Sequence, residues 1–173
     1  DELRKDFAFD WEKFPTKAKE YRKQMEQTTS VSLHIRRGDY LNDKFAPIYG
    51  GICTDAYYEG AKAYLQKKYP DCVYLFTNDP EWGRSQEGDN VVFVDCTGPE
   101  NAYVDMALMS CCKHHIIANS SFSWWGAWLN ISKDKTVIAP AKWLNTSEGQ
   151  DSYSGLCNVK VDATGVVTEE NIR

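Results

Sequence analysis

Apolar positions come in short, dense runs separated by longer stretches of mixed character. VSLHI at 31–35, CVYLFT at 72–77, VVFV at 91–94, HIIAN at 115–119 and TVIAP at 136–140 have the length and β-branched or aromatic content of buried strands. The stretches between them have helical signals. Residues 15–27, PTKAKEYRKQMEQ, place Pro15 at a first helical position ahead of good helix formers. TDAYYEGAKAYLQKKY offers Thr54 as an N-cap and runs helical to Pro70. Residues 101–112 carry Val104, Leu108 and Cys111 on one face, and SFSWWGAWLN at 121–130 is a short apolar helix. Gly38, Pro47, Gly50 and Gly51 make 37–53 a loop, and 78–90 is a second loop with room for one helical turn. The pattern weakens after Ala141, and from about residue 144 the Gly-, Ser- and Asn-rich, then valine-rich tail yields no assigned element.

Short apolar strands alternating with helices predict an α/β fold, a parallel sheet with helices on both faces. No linker, repeat or low-complexity tract interrupts it, so residues 1–173 are expected to form a single domain. In such sheets ligands bind beyond the carboxyl ends of the strands. RRGD follows the first strand, TND the second and NSSFS the fourth, so three polar segments are expected to converge on one rim.

Composition narrows the chemistry. A net charge of −5 argues against a general nucleic-acid binder, which needs a broad basic surface. No apolar run reaches membrane-spanning length and no signal peptide opens the chain, which predicts a cytoplasmic protein with peripheral membrane association left open. The charged and aromatic opening, DELRKDFAFDWEKF, reads as the middle of a longer protein. Six cysteines, at 53, 72, 96, 111, 112 and 157, form no CxxC pair, and the three histidines complete no zinc spacing. Reduced thiols are expected, with Cys72, Cys111 and Cys112 as small core residues.

The rim could hold a phosphate. Arg36 and Arg37 are permanently charged planar forks at the end of a buried strand, where an anion must answer them. Gly38 permits close backbone approach, and Asp39 can hold one arginine in place. Asn119-Ser120-Ser121-Phe122-Ser123 leads into a helix whose first amides form a natural anion site. Together these make a diphosphate cradle. There is no GxxxxGK[ST], no GxGxxG and no DxD, so arginine and amide would replace a metal in neutralising the charge.

HIRRGDY at 34–40, FTNDPEW at 76–82 and DMALMSCCKHHIIANSSFSWWGAWL at 105–129 closely resemble three motifs of the α-1,2-fucosyltransferase family, glycosyltransferase family 11. They occur in the family's order and spacing, and ANSSFSWWGAWL looks like the bacterial branch. The resemblance implies inverting, metal-independent transfer of L-fucose from GDP-fucose to a galactose-type hydroxyl of a glycan acceptor, with no cofactor. It also implies a Rossmann-like domain, the C-terminal, donor-binding half of a GT-B enzyme, with an acceptor domain expected ahead of it. Carried over by position, Arg36 would bind the GDP phosphates, and His34 and Asp105 would lie by the guanine. Ser121, Phe122 and Ser123 would wall the phosphate side, and Asn78 and Asp79 would border the nucleotide. Asp39 would organise the arginines. Asp43 and Asp39 are the candidates for the base that activates the acceptor hydroxyl.

Plainer uses stand beside these. Adjacent strand residues face opposite ways, so one of Arg36 and Arg37 is expected to meet ligand and the other to be structural. His34 can be a packed core histidine, and Asp105 a solvated helix carboxylate. His114 and His115 are expected to be structural, and Trp124, Trp128 and Trp125 to pack as core and interface aromatics. Asn119, Asn130 and Asn145 each open an Asn-x-Ser sequon, meaningful only in a secreted protein. Two rival functions remain: a non-catalytic GDP-sugar-binding module, and a structural domain that binds nothing.

Overall fold

In the computed structural model, which describes residues 2–36, 40, 42–69, 73–96, 99–146 and 155–171, one seven-stranded sheet organises the chain. Arg37, Gly38, Asp39, Pro70 and Cys72 lie outside the described residues. The strands are β1 (Val31–Ile35), β2 (Val73–Thr77), β3 (Val91–Phe93), β4 (His114–Ile116), β5 (Val137–Pro140), β6 (Val159–Val161) and β7 (Val167–Glu170). The helices are α1 (Glu2–Asp6), α2 (Thr16–Gln27), α3 (Ala46–Tyr49), α4 (Asp55–Gln66), α5 (Pro80–Ser85), α6 (Ala102–Cys111) and α7 (Ser121–Leu129).

The sheet order is β3-β2-β1-β4-β5-β6-β7. The first six strands are parallel, and β7 closes the edge antiparallel to β6. This is the doubly wound α/β arrangement expected from the alternating pattern. All five residues of β1 are buried, because it pairs on both sides, with Val31 opposite Val73 in β2 and His114 in β4. The chain first winds outward from β1 to β2 and β3, then returns to lay β4 on the other side. The switch point therefore lies between the carboxyl ends of β1 and β4, where open sheets of this kind bind ligands.

Period-two alternation sorts each strand's side chains between two cores. Leu33, Ile35, Leu75, Ile116 and Ile138 face α4, which contributes Tyr57, Tyr58, Ala61 and Leu65. Tyr74 and Phe76 face α2 and α6, against Met25, Val104, Leu108 and Met109. Ile117, Val137 and Ala139 pack with Ala127 of α7. At roughly 1.5–3 kcal/mol for each fully buried large aliphatic side chain, these layers hold the strand ends that carry the site.

Several boundaries differ from the sequence reading. Pro15 is the N-cap of α2, not its first helical residue, since its ψ of 147° is extended. Thr54 caps α4 as expected, accepting from the Tyr57 amide, but the helix ends at Gln66. The 37–53 loop contains the one-turn helix α3, with Pro47 in its first turn. β4 starts at His114 and ends at Ile116, because the chain beyond it turns toward α7. The tail holds β6 and β7, which the sequence reading leaves unassigned. Their hairpin is seated on α4: a Cβ on Gly60 would collide with the carbonyl of Gly165, itself at a φ of +85°.

Candidate functional site

A cavity of about 340 Å³ opens at the switch point. It is lined by Arg36, just past β1, by Tyr40, Phe45 and Tyr49 of the following loop, and by Ser120, Ser121 and Phe122 where β4 turns into α7. The segments after strands one and four thus meet at one edge, although 83 residues separate Ser32 from His115 within the same two strands.

The positive side combines Arg36 with the start of α7. Ser120 is the N-cap in extended conformation, and its side chain makes no capping hydrogen bond. The first-turn amides of this nine-residue helix therefore have no side-chain cap, and the helix dipole adds partial positive charge there. The Arg36 guanidinium carbon lies 5.7 Å from the centre of the Tyr40 ring.

The aromatic side is held by Asn119. Tyr40 donates its hydroxyl to the Asn119 carbonyl at 3.0 Å and stacks on Tyr49 at 4.8 Å between ring centres. The Asn119 side chain, 2% exposed, donates to the carbonyls of Tyr49 and Trp143, each at 3.1 Å, and accepts from the Cys53 thiol. Asn145, beyond β5, reinforces the loop through its amide on the Ile48 carbonyl and its side chain on the Gly50 carbonyl. Asn119 and Asn130 are buried, so neither sequon is open to modification in the fold.

His34 lies directly behind this cavity, with its ring 5.4 Å from that of Phe122. It is 3% exposed, and its Nδ1 is buried without a hydrogen-bond partner. Burial, reinforced by the charge of Arg36, drives its pKa from 6.5 down to about 3, so the imidazole is neutral. An orphaned buried nitrogen beside a cavity is unusual in a packed core.

The other expected site residues fall in different places. Ser121 and Phe122 line the cavity with Arg36. Ser123 does not: it is fully buried and its hydroxyl donates inward to the Ser120 and Ala118 carbonyls. Asn78 is exposed at the carboxyl end of β2. Asp79 caps α5, accepting from the Trp82 amide at 3.1 Å. Asp105 is half-buried on the first turn of α6, where its charge helps raise the Cys96 thiol to about 11, after the larger effect of burial. Asp43 is exposed in the turn that precedes α3. None of these last four lines the cavity. Arg37 and Asp39 lie outside the described residues.

Sequence reasoning missed Tyr40, Phe45 and Tyr49. Their signal was available: three aromatic residues gathered in a Gly-containing loop just past a buried strand mark a surface that covers something. A second cleft, of about 970 Å³, opens elsewhere, lined by Arg4, Trp124, Trp128, Asn158 and neighbouring residues. Among the described residues no cluster of His, Cys, Asp or Glu could hold a metal ion, and no helix is long and apolar enough to cross a membrane.

The model of glycosyl transferase family 11 matches residues 12–154. An α-1,2-colitosyltransferase of Escherichia coli is 42% identical over 138 residues, covering 76% of this chain and 47% of the relative. The O-antigen biosynthesis glycosyltransferase WbnK of Escherichia coli is 41% identical over 122 residues, covering 69% of the chain and 40% of the relative. A galactoside α-(1,2)-fucosyltransferase 1 of Ateles belzebuth is 32% identical over 106 residues, covering 58% and 29%. The chain thus spans less than half the length of these relatives. No solved structure matches it.

Proposed function

The chain belongs to glycosyl transferase family 11, and from that premise we propose that it supplies the donor site of an enzyme that transfers L-fucose from GDP-fucose to a galactose-type hydroxyl of a glycan. The observation that carries this reading is the meeting of Arg36 with the uncapped start of α7 on one cavity at the switch point. The names of the relatives support a deoxy-sugar donor, since fucose is a 6-deoxyhexose and colitose a 3,6-dideoxyhexose.

In this reading the diphosphate lies between Arg36 and the amides of Ser121 and Phe122. As the bond to the sugar breaks, negative charge grows on the β-phosphate. Fixed donors placed there stabilise the transition state more than the ground state, and they act without a metal ion. His34 and Asp105, on the β1–β3 flank, take the base, with the His34 nitrogen gaining a partner on binding. Asn78 and Asp79 border it, while Arg37 and Asp39 follow Arg36 in sequence. Attack by the acceptor hydroxyl from the face opposite the leaving group inverts the anomeric centre. That step needs a carboxylate base, Asp43 or Asp39, and an acceptor-binding domain supplied by further protein.

Calorimetry tests the donor site directly. The chain should bind GDP and GDP-fucose in the presence of EDTA, and Arg36→Ala should weaken both by ~10- to 100-fold, the worth of one charge-assisted contact. A fold-competent Arg36→Ala variant that binds GDP as tightly as the parent overturns the assignment.

A further inference from the structure

Arg36 can serve a phosphate only while its guanidinium stays on the cavity. Its side chain is long and rich in rotamers, and it is half-buried just past the end of a strand, within reach of water. In the cavity its guanidinium carbon lies over the Tyr40 ring, 5.7 Å from the centre. That ring is itself fixed twice. Its hydroxyl donates to the Asn119 carbonyl at 3.0 Å, and its plane stacks on Tyr49, 4.8 Å away and tilted by only 14°. The support runs on into the core, because Asn119 is buried and its side chain holds the Tyr49 carbonyl.

We propose that Tyr40 is a positioning residue for Arg36: its ring holds the guanidinium in the conformation that meets the diphosphate, acting through the arginine rather than on the nucleotide. This rests on the donor-site reading. The conformation held is the one that keeps Arg36 on the cavity shared with Ser121 and Phe122 at the start of α7. A ring attracts a cation through its quadrupole and leaves the charge whole. A carboxylate in the same place would neutralise the arginine and compete with phosphate for its N–H donors. Only the fraction of molecules with Arg36 so held is ready to bind, and apparent affinity scales with that fraction. The tie to Asn119 and the stack on Tyr49 keep the ring from turning away and releasing the arginine.

Calorimetry with GDP in EDTA reads the effect through a double-mutant cycle. Tyr40→Leu should weaken GDP by about 3- to 30-fold, the range that a cation–π contact spans. Tyr40→Phe keeps the ring and loses only the Asn119 tie, so it should lose less than Tyr40→Leu. In an Arg36→Ala background the Tyr40→Leu effect should vanish, to within ~2-fold; a ring that only packed the loop, or that touched the nucleotide, would keep its effect there. In the parent chain, nuclear Overhauser effects should join the Arg36 side chain to the Tyr40 ring protons both without and with GDP, a reading that needs no variant to fold. If the parent chain does not bind GDP, or Arg36→Ala binds it as tightly, the donor reading falls and this inference with it. If Arg36→Ala weakens GDP but Tyr40→Leu does not, this inference alone is overturned. The same holds if Tyr40→Phe loses as much as Tyr40→Leu, if the loss persists without Arg36, or if the ring contact is absent with GDP bound.

Discussion

The side-chain amide of Asn119 reaches across 70 residues of sequence to the main-chain carbonyl of Tyr49, 3.1 Å away. This bond and its companion to Trp143 join the turn before α7 to the loop that forms the opposite wall of the cavity. Asn119→Asp is nearly isosteric but replaces two donors with a carboxylate facing two carbonyls. It should cost about 2–4 kcal/mol in urea unfolding, because buried carbonyls are left unpaired beside an unanswered charge. It should also weaken GDP-fucose binding, since the aromatic wall loses its anchor. An unchanged unfolding midpoint would show that the wall is held by other contacts.

Among the described residues, Cys53, Cys96, Cys111, Cys112 and Cys157 are not disulfide-bonded. Burial pushes Cys53 and Cys157 up to about 12, and Cys96 and Cys111 up to about 11. The thiolate is the reactive form, so these four should resist alkylation at pH 8 in the folded protein and react readily in urea. Peptide mapping after iodoacetamide treatment reads each site. Fast native labelling of Cys53 would contradict its place against Asn119.

Gly60 lies in the middle of α4, where alanine would ordinarily be the better helix former by about 1 kcal/mol. Its close approach to Gly165 reverses that preference. Gly60→Ala should destabilise the fold by about 1–3 kcal/mol by forcing the β6–β7 hairpin off α4. Gly88→Ala, where a Cβ would meet nothing within 4 Å, is the control and should stay within ~0.5 kcal/mol of the parent. Equal stability of the two variants would refute the contact.

What the sequence disclosed follows from the range of the interactions involved. β1 and α4 were legible because VSLHI is a short, mostly apolar run and Thr54 is a local cap. The convergence of Arg36 with Ser121 and Phe122 was legible because parallel alternation puts strand ends on a common rim. The capping of α5 by the Asp79 carboxylate is a use an Asp before a Pro commonly has, and it stands beside the pocket-border reading of the same residue. Ser123 was read as a wall because a helix start presents its first residues, yet its hydroxyl bonds back to the preceding turn. β6 and β7 escaped because they are three and four residues long and β7 is exposed, so neither shows an apolar run. The Asn119 tie to Tyr49 is a tertiary bond that no local pattern encodes.

Three buried histidines, His34, His114 and His115, have lowered pKa values and make stability depend on pH in a defined direction, His34 and His115 most strongly. His115 is fully buried between β1 and α7. The Asn130 amide nitrogen donates to the Cys112 carbonyl at 2.6 Å and to His115 Nε2 at 2.8 Å, so the ring proton sits on Nδ1 and is donated to Ser32 Oγ at 2.7 Å. Burial, with the nearby charge of Lys135, lowers the His115 pKa to about 3, matching His34. Both rings are therefore neutral in the fold, while the unfolded chain takes up their protons near pH 6.5. Below that point the unfolded state binds more protons than the native one, so stability falls with falling pH and keeps falling toward pH 3. Each of these two histidines contributes on the order of 2 kcal/mol of loss by pH 5. Urea unfolding at pH 7.5 and pH 5.0 should show this difference, and His115→Gln should reduce it by about 2 kcal/mol, the share of one ring, while lowering stability at pH 7.5 through loss of the Ser32 and Asn130 contacts. A parent protein equally stable at the two pH values would mean that neither ring is held neutral, and the buried Ser32–His115–Asn130 chain would then need another protonation state.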